Sequence, residues 1–234
     1  MIELRREGSV FVLTMDDGEN RFRPERVARW NALLDEVERA ESPKALVTTG
    51  TGKFYSNGLD LDWMLGQASA DERASYIPSV LALMARVLTF PAITVCAMNG
   101  HAFGAGGQIA MAHDYRVMRA DRGFFCMPEI DMGAPLHPGM TAILQARLPH
   151  QTAHRVISEG HRYPAEEALA AKIVDVVAAE DEVVAQAVAI ATPLAPKAKP
   201  AMTQLKAGMY PRALAALAMS FEEAGMGSLV AGAD

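Results

Sequence analysis

Glu129 follows Pro128 and stands among Phe124, Phe125, Cys126, Met127, Ile130 and Met132. A carboxylate in that company is desolvated, which raises its pKa and suits it to shuttle a proton near neutral pH. A solvated Glu after a proline turn is the other meaning of the same pattern. Two glycine-containing turns, Ser56-Asn57-Gly58 and Gly104-Ala105-Gly106-Gly107, each lie close to a strand end. Glycine lets the backbone approach a ligand closely, and N–H groups freed at two such turns can converge on one oxygen as an oxyanion hole. Ordinary turns would carry the same glycines.

Other chemistries fail on spacing. Gly50-Thr51-Gly52-Lys53 has Phe54 where a phosphate-binding loop needs Ser or Thr after Lys, and Val47 where its first Gly should stand. Ile109 occupies the third glycine of a GxGxxG register starting at Gly104, which disfavours dinucleotide binding. Ser56 lacks the first glycine of a GxSxG elbow, because Phe54 is there. His150 and His154 are four apart, but no Glu follows His150, so no HExxH metal site is expected, and Cys96 and Cys126 form no CxxC pair.

Several elements must position these residues. Ile2–Leu4 and Ser9–Met15 read as a hairpin around Gly8. Val27, Trp30, Leu33, Leu34 and Val37 recur at helical spacing from Pro24 onward. Ala45–Val47 and Ala92–Ala97 read as buried strands, the second delivered by a helix from about Asp71 to Leu88. Tyr115–Met118 and Ile173–Val177 read as later strands, with helices over Gly139–Leu148, Thr152–Ser158 and Pro164–Ala171. Pro193, Pro196 and Pro200 mark a linker before a final helical pair.

The 234 residues suit one large core, half hydrophobic and 21% charged, which is the balance of a packed soluble protein rather than a disordered chain. A net charge of −6 leaves no diffuse positive field for nucleic acid or an anionic membrane. The uncharged stretch Val87–Ala112 is interrupted by Pro91, Asn99, His101, Gln108 and four glycines, so it is expected to be strand and turn rather than a membrane span. Val10–Leu13 is too short for a secretory signal, and Gly232-Ala233-Asp234 is no peroxisomal address, so a cytoplasmic location is expected.

Phe54-Tyr55-Ser56-Asn57-Gly58-Leu59-Asp60-Leu61 resembles the FSAGxDL turn of the enoyl-CoA hydratase/isomerase, or crotonase, superfamily. Asn99 to Gly107 is similar to its second signature, and Met127-Pro128-Glu129-Ile130-Asp131-Met132-Gly133 to its PEIxLG segment. The three occur in family order, and the resemblance covers roughly residues 1 to 200. His113–Arg119 followed by Asp121-Arg122-Gly123 is most similar to Δ3,Δ2-enoyl-CoA isomerases of the plant peroxisomal type.

The resemblance implies an α/β protein of the crotonase (ClpP-like) fold: repeated β–β–α units with stacked sheets, a core over 1–195 and a helical C-terminal region over 196–234. It implies isomerisation of an acyl-CoA thioester in fatty acid β-oxidation, with Glu129 as the base and the N–H groups of Leu59 and Ala105 as the oxyanion hole. Ser56, Asn57, Gly58, Leu59, Asp60, Ala105 and Gly106 would border the CoA ester. Hydratases of the family use a second glutamate, where this chain has Gln108, and Gln carries no proton at neutral pH. A hydratase, a hydrolase or a silent CoA-ester-binding member are the alternatives.

An apolar acyl tunnel is expected from Met127, Met132, Met140 and Trp63, and CoA-phosphate contacts from Arg21, Arg23 and Lys53. No metal and no separate cofactor are implied, CoA being part of the substrate. A homotrimer or dimer of trimers is implied, with no nucleic-acid or membrane partner. The tail after Phe221 is short and glycine-rich where relatives carry a lysine-bearing helix over the CoA pocket.

Overall fold

The computed structural model describes residues 1–226. The chain opens with β1 (Ile2–Glu7), β2 (Val10–Met15) and α1 (Pro24–Arg39). Next come β3 (Ala45–Gly50), β4 (Phe54–Ser56), α2 (Leu61–Gly66) and α3 (Ala70–Leu88), then β5 (Ile93–Met98), β6 (His101–Phe103) and α4 (Ala105–Ala112). β7 (Tyr115–Arg119), β8 (Phe125–Cys126), α5 (Pro138–Arg147), α6 (His150–Glu159), α7 (Ala165–Ala170) and β9 (Val176–Ala178) follow. α8 (Val183–Ala191), a 3-10 turn (Thr192–Lys197), α9 (Ala201–Met209) and α10 (Pro211–Leu217) end the described chain.

Four times a strand pair is followed by helix, and from the second unit on the two strands of a pair enter different sheets. The large sheet runs β1-β2-β3-β5-β7-β9, antiparallel at β1–β2 and parallel elsewhere, and the small one runs β4-β6-β8, all parallel. This is the expected arrangement of repeated β–β–α units and stacked sheets.

Alternation along each central strand sends side chains to two cores. Val10, Val12, Ala45, Val47, Val95, Ala97 and Val117 pack against Val183, Ala187 and Ala191 of α8. Phe11, Leu13, Leu46, Cys96, Met98 and Met118 face the other way, onto Trp30 and Leu34 of α1, Leu83 and Met84 of α3 and Ile109 and Met111 of α4. The strands are covered on both faces, as parallel strands require.

The second glycine turn expected from the sequence opens a helix instead, α4, because its glycines allow close packing on all sides, and two boundaries also differ from the sequence reading. Ile173 and Val174 do not pair in the sheet: their N–H groups both return to Ala168 O at 2.8 and 3.3 Å, closing the turn after α7, and pairing starts at Val176. The proline-rich 192–197 stretch is no linker. It coils into the 3-10 turn, buries Ala195 against the sheet and accepts Lys44 N–H on Ala195 O at 3.2 Å. Lys206 of α9 is buried too, donating to Ala92 O at 2.9 Å and pairing with Asp114 at 2.7 Å. Of the tail after Phe221, residues 227–234 lie outside the described residues.

A buried chain of hydrogen bonds ties the two sheets to α4. Tyr55 OH lies 2.9 Å from Thr48 Oγ1, which lies 2.9 Å from His113 Nε2, and His113 Nδ1 lies 2.7 Å from Ile109 O. A carbonyl only accepts, so Nδ1 carries the hydrogen, Nε2 accepts from Thr48, and Thr48 accepts from Tyr55. Burial holds the His113 imidazole neutral, its pKa pushed down to about 4.

Because that folded value lies below the unfolded one, the stabilisation is whole above about pH 6.5 and is lost as pH falls toward 4. A depression of that size corresponds to about 3 kcal/mol. His101 and His137 are depressed by burial in the same sense. Urea unfolding should therefore show a midpoint that declines steadily from pH 6.5 to 4.5, and a flat profile over that window would show that His113 takes up its proton in the folded protein.

Candidate active site

Parallel pairing puts the C-terminal ends of β4, β6 and β8 on one side, and the three sequence signals are the segments that leave those ends. After β4 the chain turns at Gly58, whose φ of +80° is a region that side chains rarely adopt. A Cβ on Gly58 would lie 2.8 Å from Phe103 O and 3.0 Å from Ala105 N, so the two glycine turns touch. At Gly106 a Cβ would fall 2.3 Å from Ser56 O, and only its absence lets α4 seat against the end of β4.

The bonds around the first turn are nearly complete. Ser56 Oγ donates to Asn20 O at 2.7 Å and accepts from Gly58 N at 3.2 Å. Asn57 N donates to Glu19 O at 2.9 Å, and Phe22 N to Gly58 O at 2.8 Å. Asp60 N donates to Tyr76 OH at 2.8 Å, and that hydroxyl donates on to Phe22 O. Leu59 N–H, between these bonds, makes none among the described residues. Ala105 N–H, first in α4, makes none either, while Gln108 N returns to Gly104 O at 3.0 Å. Two free N–H groups thus stand on touching turns, one of them at a helix N-terminus whose dipole favours negative charge.

Glu129 completes the cluster. Its Oε1 lies 3.4 Å from where a Gly104 Cβ would be, and its Oε2 is buried with no hydrogen-bond partner among the described residues. Burial raises its pKa above the usual carboxylate range, with a bond to its own backbone N–H opposing in part. A tight turn aims it: Met132 N and Ala134 N donate to Glu129 O at 3.1 and 2.9 Å. Gln108 is 0% exposed, its Nε2 donating to Met127 Sδ at 3.4 Å and its Oε1 without a partner among the described residues. The arrangement can move one proton beside an oxygen that is gaining charge.

The remaining expected residues divide. Asp60 is buried and its carboxylate is occupied, capping α2 through Trp63 N at 3.1 Å and pairing with Arg21 and Arg23. Burial would raise its pKa, but Arg23, Trp63 N–H and Arg21 together hold it below the usual range. Asn57 Nδ2 is likewise engaged, with Glu19 at 3.0 Å. Ser56, Asn57 and Asp60 therefore build the turn with their side chains. Arg21 is further paired with Glu19 and Asp62, whereas exposed Lys53 lies over the Phe54 ring at 5.5 Å.

Of the tunnel candidates, Met127 and Met140 are core residues, Trp63 meets Tyr76 edge-on at 5.2 Å, and Met132 is 55% exposed. Exposed Ile130, next to Glu129, was not among them. Tyr76 was missed as well, since nothing in the local sequence signals a hydroxyl that reaches the turn from another element. No group of three or more metal-ligating side chains occurs among the described residues.

Comparison with known proteins bears on the same segments. The enoyl-CoA hydratase/isomerase family model matches residues 5–224. The chain is 35% identical over 206 residues to peroxisomal enoyl-CoA delta isomerase 2 of Arabidopsis thaliana, covering 84% of this chain and 86% of that protein. Enoyl-CoA delta isomerase 3 of the same plant is 36% identical over 181 residues, 75% and 76% of the two chains. Among solved structures, human mitochondrial delta3-delta2-enoyl-CoA isomerase superposes with a TM-score of 0.86 at 25% identity, covering 98% of this chain and 90% of that one. An apo enoyl-CoA isomerase of Mycobacterium tuberculosis gives 0.86 at 26%, over 96% and 97%. Matched along nearly its whole length in both sequence and fold, with its three signature segments gathered at one end of the small sheet, the chain belongs to the enoyl-CoA hydratase/isomerase family.

Proposed function

We propose that the protein is a Δ3,Δ2-enoyl-CoA isomerase, and the observation that carries the reading is one proton-carrying group, Glu129, beside two free backbone N–H groups on touching turns. The thioester carbonyl of a 3-enoyl-CoA accepts from Leu59 N–H and Ala105 N–H. Glu129, as carboxylate, removes a proton from C2, and the electron pair moves through the carbonyl to give a dienolate whose charge rests on the held oxygen. The same carboxyl group then returns the proton to C4, leaving the double bond between C2 and C3. One donor of this kind is typically worth ~3–4 kcal/mol of barrier. The raised pKa suits a group that takes and gives the same proton.

Gln108 separates this reading from a hydratase. Adding water across the double bond calls for a second proton carrier, and the buried Gln108 amide supplies none. Exposed Ile130 and Met132, flanking the carboxylate segment, offer apolar contact to the acyl chain. The reaction calls for no separate cofactor, since CoA arrives with the substrate. Work in fatty acid β-oxidation in the cytoplasm, as a homotrimer or dimer of trimers, completes the proposal. Leu205 and Met209, one turn apart on α9 and 66% and 65% exposed, give an apolar stripe that a neighbouring copy would cover.

Incubation with a 3-enoyl-CoA should produce the conjugated 2-enoyl thioester, read by its ultraviolet absorption. Glu129→Gln keeps the shape and deletes the proton carrier, so turnover should fall about a hundredfold to ten-thousandfold with CoA-ester binding nearly intact. Wild-type kcat/KM should decline on the acid side with a midpoint above that of an ordinary carboxylate, because Glu129 must be ionised to start. Turnover that survives the substitution would remove Glu129 from the role.

Gln108→Glu tests the single-carboxylate argument. Two carboxyl groups could hold and activate a water, so the variant should gain measurable hydration of 2-enoyl-CoA, with a pH dependence set by the new like-charge pair. Wild-type protein that hydrates 2-enoyl-CoA as fast as it isomerises 3-enoyl-CoA would make the enzyme a hydratase instead.

A further inference from the structure

The chain Tyr55–Thr48–His113–Ile109 joins the two elements that carry the free N–H groups. Tyr55 lies in β4, four residues before Leu59, and its hydroxyl ends on Thr48 of β3. His113 is the residue that closes α4, and its ring holds both Thr48 and the Ile109 carbonyl, one turn inside the helix that begins at Ala105. Thr48, Tyr55 and His113 are all 0% exposed. The far end of α4 is clamped as well: Arg147 donates to Met111 O, His113 O and Asp114 O at 3.2, 2.7 and 2.8 Å, and Arg116 to His113 O at 3.0 Å. α4 is apolar except for Gln108, so packing resists its sideways movement more than sliding along its axis.

We infer that the Thr48 hydroxyl is a positioning group for the oxyanion hole, one that fixes α4 along its axis against β4 and thereby sets Ala105 N–H relative to Leu59 N–H. This rests on the oxyanion reading above. Neither hydrogen bond of the Thr48 hydroxyl goes to a turn: one goes to Tyr55 in β4 and the other to His113 after α4. The hydroxyl bonds both sides, accepting from the β4 side and donating to the α4 side. Thr48→Val keeps the shape and removes both bonds, leaving a buried Tyr55 OH and His113 Nε2 to find other partners by shifting. A displacement well under 1 Å at Ala105 matters, because reacting geometry misplaced by about 1 Å can cost a hundredfold.

The test is spectroscopic and kinetic. The probe is the dimethylaminocinnamoyl thioester of CoA, whose absorption moves to the red when its carbonyl accepts hydrogen bonds. Thr48→Val should bind the probe within about threefold of wild type but lose much of the red shift. Its kcat should fall about tenfold or more with KM changed less than about threefold. Thr48→Ser, which keeps the hydroxyl, should restore both. A folded Thr48→Val protein with the full shift and full kcat would overturn the inference, and so would Thr48→Ser failing as badly as Thr48→Val. If Thr48→Val does not fold, Tyr55→Phe decides: a reduced shift and kcat support the relay, and wild-type values overturn it. Wild-type protein that shifts the probe but leaves 3-enoyl-CoA unchanged would sink the isomerase reading alone, since the shift measures the oxyanion hole without turnover.

Discussion

The close approach of α4 to the end of β4 is the constraint on which the rest of the molecule depends. Gly58 presses on Ala105 and Gly106 on Ser56 O, at distances that leave no room for a single added methyl. Two backbone N–H groups can be offered to one oxygen only if two separate turns come this near, and turns do not approach by themselves. The large sheet supplies the frame. Its parallel strands β3, β5 and β7 each hand the chain to a short strand of the small sheet, so the exits of β4, β6 and β8 are brought together by topology before any side chain acts.

Local bonds then remove the remaining freedom. Ser56, Asn57 and Asp60 direct their side chains into the turn, and Arg21, Arg23, Glu19 and Tyr76 hold it from outside. Leu59 N–H, the group that the proposed chemistry needs, is left without a hydrogen bond among the described residues. At α4 the same economy appears on the helix scale. Arg147 caps Met111 O and, with Arg116, the His113 O just past the helix, positive charge that complements that end of the dipole, while Ala105 N–H at the other end makes no bond among the described residues. The cost of burying this polar helix end is balanced at one pole and left unbalanced at the other, where a ligand carrying negative charge would complete it.

Much of this was legible in the sequence. The long elements announce themselves through period: α1 by its stripe of Val27, Trp30, Leu33, Leu34 and Val37, and the central strands by apolar runs buried on both sides. The small sheet does not, because strands of two or three residues carry too little pattern for a period to show. α4 was hidden for another reason: all eight of its residues are buried, so it has no polar face. The 192–197 stretch misled because prolines mark linkers and helix starts alike, and only packing against the sheet decides between them. The site residues were readable as family motifs, but the side-chain duties of Ser56 and Asp60 were not, since their partners Asn20 and Arg23 come from the connection between β2 and α1, more than thirty residues earlier. Nor were Tyr76 and Thr48, which act across elements.

Gln108 shows how the same frame restricts chemistry. It sits fully buried on α4, one turn in from Ala105, with an unpartnered amide oxygen and a weak contact to Met127 Sδ. A carboxylate there would be desolvated, and burial without a partner would drive its pKa up. An amide keeps similar bulk and polarity without a titrating proton, which on the proposed reading leaves Glu129 as the one proton carrier of the site. One carboxyl that both takes and returns the proton matches a reaction whose substrate and product differ only in where a hydrogen sits. Its unpartnered Oε2 fits the same logic, because an oxygen already held by a strong donor would be a poorer base. On the proposed reading, two turns and a helix end serve the oxyanion and a single carboxyl is left to titrate.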